Sequence, residues 1–589
     1  MSKKIINTGC TAKEKSEEMF RKNFIPISFL LIVAVTFIAY SNSFENSFQY
    51  DDVHHIKQNR QIKDLNNFYD PGYWFDFINR APAQLTFAVN YYYGGYGVKG
   101  YHAVNLLIHL ISSLLVFVLL GLLLDSKSIK QDYIIQNKRY IRLFSTLIFA
   151  VHPIQTESVT YIVQRMESLS GAFYIAALIF YYMFRAESSN RKRIIEFSVF
   201  LVFGLLSVMT KQTAYTMPLA ILLLEIYFIR NYKGESNKKL IIYISSVLAL
   251  AVIIGLITDI LPREYMSETT RWQYLLSQFT VIPKYIFLLF FPIGQNIDHH
   301  VFIPHNFFEL WILMGFALIL ALFYVIYVLY KNGYLLLSFS IAWFFAMISL
   351  RSSILPISDL MSEHRLYTSV ISYGLVISIL LMYLKNKMKL NDYTFAVILS
   401  ITVLVYAIST FERNKVWKDE LFLWNDSVSK SPEKFRPNYN IAEAYKKAGD
   451  SQTALEFYLK AYKLSTQSYG VCNNIGNIYS ERKDYDKAES YYTEALKLNP
   501  GYPKSLNNLA NINFRKGKFK EAEELYSKAI ELDNNFIDPY LNLGHLYFIS
   551  EHYGLAVINY KRVLEINPNN EQARNNLKII ESKLSGKEK

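Results

Sequence analysis

Twelve apolar runs, most of them about 20 residues long, constrain this chain more than any other feature. They lie near 24–40, 102–124, 140–157, 166–184, 194–210, 213–229, 240–261, 275–293, 308–330, 334–350, 366–384 and 392–410. About 20 apolar residues span the hydrocarbon of a bilayer as a helix. A chain with so many of them can only be a polytopic helical bundle seated in lipid. The composition agrees, with 52% hydrophobic and 19% charged residues in 589. The net charge of +13 would suit a nucleic-acid binder. The basic residues, however, sit in short loops between the runs, where membrane orientation accounts for them, so nucleic acid is excluded as a partner.

Those loops set the topology. The N-terminal tail 1–23 and the basic stretches Lys127 to Arg142, Arg185 to Arg193, Arg230 to Lys239, Lys331 and Lys385 to Lys389 are expected on the cytoplasmic side. The segments 43–101, 152–165, around 211, 262–307, 351–365 and everything after 410 then lie outside the cytoplasm. For this alternation to hold, one run cannot cross. The run 275–293, interrupted by Pro283 and closed by Pro292, is expected to be a re-entrant or surface-lying helix, leaving about 11 crossings. The chain reads as a multi-pass protein of a bacterial cell (inner) membrane.

The outer loops concentrate ionisable residues. The first contains Asp51, Asp52, His54, His55, Arg80 and His102; the second His152, Glu157 and Arg165, with Glu167 just beyond. Lys211 marks the third. The fourth holds Arg263, Glu264, Glu268, Arg271, Trp272 and Asp298-His299-His300, and the fifth Arg351, Asp359, Glu363, His364 and Arg365. Ionisable groups at the edge of hydrocarbon are expensive and mark function by default. The adjacent pair Asp51 and Asp52 can act as base, as cation ligand, or as solvated loop charge. Neighbouring histidines do not share one face of a helix or strand, so Asp298-His299-His300 and His54-His55 make poor metal sites, and no metal is expected. Two cysteines, Cys10 and Cys472, support neither a disulfide framework nor a zinc site.

From about 438 the pattern becomes a soluble, amphipathic one. Ala442, Gly476, Ala510 and Gly544 are 34 residues apart, as are Ala454, Ala488, Ala522 and Ala556, and Tyr458, Tyr492, Tyr526 and Tyr560. A 34-residue period with small residues at these offsets is the tetratricopeptide (TPR) signature. Four repeats and a polar capping helix form a solenoid over 438–585, joined by a linker at 411–437 to a membrane domain at 24–410. Such solenoids present a concave groove to a peptide or protein. Cys472 falls in the core of the second repeat, and Asn513 stands where the other repeats have Tyr445, Tyr479 and Tyr547.

The ordered motifs resemble one family, the transmembrane and tetratricopeptide-repeat O-mannosyltransferases of the GT-C superfamily. They are Tyr50-Asp51-Asp52 with Asn59; Gln84-Leu85-Thr86-Phe87 through Asn90-Tyr91; Gly100-Tyr101-His102 with Asn105 and His109; His152-Pro153-Ile154-Gln155-Thr156-Glu157 with Arg165 and Glu167; Lys211; Glu363-His364-Arg365-Leu366-Tyr367; and Arg413 to Trp417 with Leu423-Trp424. Two departures occur, Arg80-Ala81-Pro82 for the family's Arg-Pro and Lys211-Gln212 for its Lys-Glu.

The resemblance implies transfer of a hexose, mannose in the family, from a polyprenyl-phosphate carrier to Ser or Thr hydroxyls of extracytoplasmic proteins. The lipid-linked sugar is a substrate, and no cofactor is expected. A first-loop acid, Asp52 or Asp51, would be the base. Arg365, Lys211 and Arg165 would hold the phosphate. Glu157, Glu167, Glu363, His152 and His102 would bind substrate or orient those cations. Two other readings remain open: a lipid or glycan acceptor in place of protein, and a membrane-anchored repeat scaffold without catalysis.

Overall fold

A computed structural model of the protein describes residues 12–76, 80–229, 269–353 and 359–586. The expected span 240–261, with Arg263, Glu264 and Glu268, lies outside the described residues. All regular structure among the described residues is helical. The chain divides into two compact units, Met1–Asp426 and Ser427–Lys589.

The long helices of the first unit are α1 (Ala12–Tyr40), α2 (Ala81–Gly94), α3 (Val98–Leu124), α4 (Asp132–Val151), α5 (Arg165–Ala186), α6 (Asn190–Thr210), α7 (Met217–Leu224), α8 (Arg271–Phe290), α9 (Leu310–Lys331), α10 (Leu335–Ile348), α11 (Val370–Met388) and α12 (Asp392–Asn414). Seven segments among the described residues are long and apolar enough to cross a membrane: Val98–Leu124, Ile162–Ala186, Asn190–Thr210, Gln212–Ile229, Leu310–Lys331, Val370–Met388 and Asp392–Trp417. Phe24–Tyr40 and Leu335–Ile348 are shorter apolar helices. This is a membrane protein by the length and composition of its helices.

Two local departures have physical causes. The break expected at Pro283 is absent, because α8 runs through it unbroken from a Thr270–Gln273 capping box to Phe290. A proline costs less in a membrane-protein helix, where neighbours answer the freed backbone group. The run 140–157 ends early, at Val151, since His152 precedes Pro153 and is pushed out of the helical region (ψ 128°).

Helix packing places the loops. The helix α11 runs along α4, and their backbones touch at Gly374: a Cβ there would lie 2.7 Å from the Ser145 carbonyl oxygen. Small residues permit this kind of close approach in lipid. A smaller cluster beneath the outer loops gathers Phe48, Ile56, Tyr101, Tyr161, Trp417 and Leu423. The segment 411–437 is helical for most of its length: the end of α12, a 3-10 turn at Lys415–Trp417 and α13 (Glu420–Lys430).

The second unit is four helix pairs and a last helix. The pairs are α14 (Phe435–Lys447) with α15 (Ser451–Leu464), α16 (Tyr469–Glu481) with α17 (Tyr485–Leu498), α18 (Pro503–Arg515) with α19 (Phe519–Leu532), and α20 (Ile537–Ile549) with α21 (Tyr553–Ile566). The chain then continues into α22 (Glu571–Gly586). Tyr458, Tyr492, Tyr526 and Tyr560 are buried, each on the second helix of its pair. A Cβ on Gly476 would sit 2.6 Å from the Tyr492 ring, which explains glycine there. Cys472 is a fully buried free thiol. The turn inside each pair needs a left-handed residue. Gly449 (φ +86°) and Gly517 (φ +76°) supply it in the first and third repeats, and Lys483 (φ 62°) and Glu551 (φ 60°) in the second and fourth.

A side chain in that conformation costs about 1 kcal/mol. Lys483→Gly and Glu551→Gly should therefore each slow amide hydrogen exchange in their own repeat of the full chain, and Gly449→Ala should speed it in the first. Unchanged protection in all three would contradict the assignment.

Candidate functional site

The loop between α4 and α5 is the hub of the face where the ionisable loops gather. Its position rests on Arg165, which is fully buried at the start of α5. The guanidinium donates to Asn105 Oδ1 (2.5 Å), Thr86 Oγ1 (3.2 Å) and the Tyr101 carbonyl (2.8 Å). Its carbon lies 4.5 Å from the Phe87 ring centre. Asn105 in turn donates to the carbonyls of Val159 and Ile162. The sequence placed Arg165 among phosphate ligands; the structure places it in this knot of α2, α3 and α5.

Asp52 fastens the first outer loop to the same hub. It is fully buried, accepting from Gln49 N–H (2.8 Å) and Val163 N–H (2.6 Å). Burial pushes its carboxyl up to about 8 against those two bonds. Asp51 is only half-buried, and its N–H donates to the Tyr161 hydroxyl (2.9 Å). Tyr50, just before them, has a positive φ of 34°. Two histidines from the same motifs also hold backbone. His102 reaches the Asn46 carbonyl (2.9 Å). His152 reaches the Leu289 carbonyl (2.9 Å) and accepts from Ile154 N–H (3.2 Å), capping the turn after it.

The other predicted residues converge. Glu167 pairs with Lys211 (2.9 Å), whose ammonium also donates to Gln164 Oε1 (2.6 Å). Arg351 lies 3.9 Å from Glu167 and donates to His364 Nε2 (3.4 Å). His364 Nδ1 is therefore the protonated nitrogen and donates to Glu157 Oε1 (2.7 Å), while His364 N–H donates to Glu157 Oε2 (3.0 Å). Burial and the charges of Lys211, Arg351 and Arg365 hold that imidazole neutral, well below its ordinary range. Burial and the neighbouring Glu363 push Glu157 up to about 8.

Glu363 is the clamp for the fourth loop. It accepts from His299 Nε2 (2.8 Å), Asn296 N–H (2.6 Å) and Gln295 Nε2 (2.9 Å). Burial alone would raise its carboxyl; the bond and charge of His299, with Arg413 and Asn296, outweigh it and draw the group below the usual range. His299 is thus spent on Glu363. Among the described residues no three His, Cys, Asp or Glu side chains are placed to hold one metal ion.

Arg365 sits on the 3-10 turn Glu363–Leu366, where its guanidinium donates to the carbonyls of Leu360 (3.3 Å) and Asp359 (2.5 Å). Its Nε is buried without a hydrogen-bond partner among the described residues. Glu167, Arg365, Ser170, Tyr174 and Thr213 line one narrow cavity.

Sequence reasoning left Arg351 and α8 without a role. One face of α8 builds the site: Tyr274 hydroxyl donates to the Arg351 carbonyl, Tyr285 hydroxyl to the Ser362 carbonyl, and Gln278 to the Leu360 carbonyl. The other face, with α9, lines a groove of about 770 Å³ walled by Phe279, Pro283, Phe302, Trp311, Met314 and Leu318, with Lys284 and His300 also lining it. A cation at the end of the apolar run 334–350 was the available signal for Arg351.

Comparison with known proteins adds two findings. Tetratricopeptide repeat family models match residues 433–501, 467–535 and 537–570. Over 77% of its length the chain is 25% identical to "Protein O-mannosyl-transferase F38B6.6" of Caenorhabditis elegans, covering 64% of that protein. Over 75% it is 24% identical to "Protein O-mannosyl-transferase TMTC3" of Mus musculus and of Homo sapiens, covering 51% and 52% of them. The chain spans half to two thirds of the length of these relatives. It is similar to the transmembrane and tetratricopeptide-repeat O-mannosyltransferases, the family its motifs resemble.

Asp52 and Glu157 hold their protons more tightly in the fold than at their ordinary 3.8 and 4.5. The folded chain therefore binds the extra protons up to about pH 8, and stability falls as pH rises towards that value. The buried histidines His152, His299 and His364 are shifted down and act in the opposite sense, but only below their ordinary 6.5. Thermal unfolding in nanodiscs should accordingly show a melting temperature that declines between about pH 6.5 and 8. Glu157→Gln should flatten that slope; an unaltered slope would contradict the burial argument.

Proposed function

We propose that the membrane unit transfers a hexose, mannose by its relatives' names, from a polyprenyl-phosphate carrier to Ser or Thr hydroxyls of protein chains outside the cytoplasm. The observation that carries this reading is the gathering of Lys211, Arg351 and Arg365 among Glu157, Glu167 and Glu363, on loops between apolar helices. Cations buried at that depth suit an anionic group presented from lipid. Arg365 is the foremost phosphate ligand. Its guanidinium donates to the carbonyls of Leu360 and Asp359, and its Nε has no partner among the described residues. The groove between α8 and α9 has the apolar walls that an isoprenoid chain would need.

Asp51 is the base in this reading. Asp52 has both oxygens on backbone N–H groups and, pushed up to about 8, holds its proton at neutral pH. A protonated acid cannot take the acceptor's proton. Asp51 keeps part of its surface open and stands on the turn that leads into His55. That imidazole is lowered to about 4 by burial and then by the charges of Arg80, His54 and Lys211. The acceptor hydroxyl gives its proton to Asp51, and its oxygen bonds to the anomeric carbon. The carbon–oxygen bond to phosphate breaks on the opposite face, and the leaving oxygen takes the electron pair. The configuration inverts. Arg365, Arg351 and Lys211 stabilise the charge that develops on phosphate.

The test is transfer from a radiolabelled polyprenyl-phosphate mannose to extracytoplasmic-protein peptides by the chain in nanodiscs. Asp51→Asn should reduce turnover by about 10²–10⁴ and leave the melting temperature unchanged. Arg365→Gln should cost about 10² or more. Asp52→Asn should lower the melting temperature, because an amide cannot accept both N–H groups. Transfer only to lipid or glycan acceptors would replace the protein acceptor. No transfer from any polyprenyl-phosphate sugar would refute the reading.

A further inference from the structure

Three cations share one face of α4 at the end of the bundle opposite the Arg165 hub. Lys138, Arg139 and Arg142 line a cavity of about 380 Å³ together with Phe24, Pro26 and Leu124. At about 1.5 Å per residue, Arg142 lies roughly 14 Å along α4 from Val151, Leu124 roughly 28 Å along α3 from Asn105, and Phe24 roughly 24 Å along α1 from Tyr40. The cavity is therefore a separate place from the cluster around Lys211 and Arg365. Like charges at this spacing repel along a helix. Asp125 is the one acid on the wall among the described residues, and it is spent on Lys138 in an exposed pair. Such a pair contributes little.

Arg142 is held in place from one side. Its Nε donates to the Phe117 carbonyl (2.6 Å), and its guanidinium lies 3.7 Å from the Phe117 ring centre. A Cβ on Gly121 would sit 2.5 Å from the guanidinium carbon, so glycine there lets the group lie against α3. The two terminal nitrogens make no hydrogen bond or ion pair among the described residues. Neither does the guanidinium of Arg139, which lies 5.8 Å from the Phe24 ring centre. A guanidinium fixed at Nε with its terminal nitrogens open is the fork that takes two oxygens of one anion. The rest of the rim is apolar. Ile25 and Pro26 are exposed at the lip, and α1 continues with Leu30, Leu31, Val33, Phe37 and Ile38 exposed on its surface. In a membrane protein that surface faces acyl chains, so a cationic wall runs into a hydrocarbon-facing helix.

We propose that this cavity binds the headgroup of an anionic phospholipid, with the phosphate held by Arg139 and Arg142 and the acyl chains lying along α1. The chemistry recognised is a phosphate ester. The lipid is the source that fits, because the apolar lip is continuous with α1, whereas a free phosphate would leave Ile25 and Pro26 in water. Basic pockets between membrane helices take anionic headgroups in this way. The helices α1, α3 and α4 all pack on one another around the cavity, so a bound lipid ties the three together. The site is independent of the sugar-transfer reaction and serves the fold from the other end of the same helices.

The experiment holds the full chain in nanodiscs of equal parts phosphatidylglycerol and phosphatidylcholine and reads the lipids it retains by native mass spectrometry. Phosphatidylglycerol should be retained over phosphatidylcholine. Arg139→Gln with Arg142→Gln should weaken that retention about tenfold or more, since each cation at a membrane surface contributes about fivefold. Lys130→Gln with Arg191→Gln removes two exposed cations that do not line the cavity and should change it by less than about twofold. Gly121→Ala keeps every charge but displaces the Arg142 guanidinium, and should weaken retention about threefold or more. Equal loss in the two charge pairs would mean diffuse attraction and overturn the site, as would equal retention of the two lipids or an unaltered Gly121→Ala. Displacement of the lipid by millimolar inorganic phosphate would assign the cavity to a free anion and overturn the lipid. Where the melting temperature shows that a variant has not folded, the two lipids and the phosphate competition on the unaltered chain decide.

Discussion

A charge taken out of water has to be answered where it lies, and Arg165 is the charge that most of the outer face answers. Its guanidinium consumes acceptors from α2 and α3, and lies over the ring of Phe87. Breaking such a site leaves an uncompensated buried ion, at a cost of about 3–5 kcal/mol. Rigidity follows for everything attached to it. Asn105 and Asp52 fasten the same short loop from two more directions. That loop then offers Tyr161 to the first outer loop, Gln164 to Lys211 and Glu157 to the turn bearing Arg365. One segment touches the partners of nearly every other outer loop, so their mutual geometry depends on it.

The neighbouring polar network is organised in the same way. Glu157, Glu167 and Glu363 face imidazoles and cations and leave few oxygens unanswered. A carboxylate in this setting positions more than it reacts. Glu157 caps the turn that carries Arg365, and Glu363 ties that turn to the loop after α8. Motif residues therefore divide into those that hold backbone (Asp52, His102, His152, Arg165) and those that, with Arg351, present charge to a common space (Lys211, Arg365).

Much of this was legible in the sequence, for identifiable reasons. Apolar runs and a 34-residue repeat are periodic signals, which survive without knowledge of neighbours. The meeting of Lys211, Glu157, Glu167, Glu363 and Arg365 is what loops assigned to one face by charge would give. Division of labour within a motif was not legible. Asp51 and Asp52 are adjacent and alike, and only Gln49 and Val163, the latter 111 positions away, decide which one is capped. Arg165 and Arg351 both stand beside a span, and the presence of Asn105 against one of them is a fact of packing. The course of α8 through Pro283 was hidden because proline reads as a break by local rules that tertiary neighbours overrule.

The repeats carry a longer rhythm than their period suggests. Small residues at the helix crossing alternate Ala442, Gly476, Ala510, Gly544, and the left-handed turn position alternates Gly449, Lys483, Gly517, Glu551. Both alternations have the same phase. Odd and even repeats are thus two kinds of brick, laid in strict succession. A solenoid of this kind can be lengthened or shortened by two repeats with each brick still beside the other kind, and by one only by setting like against like.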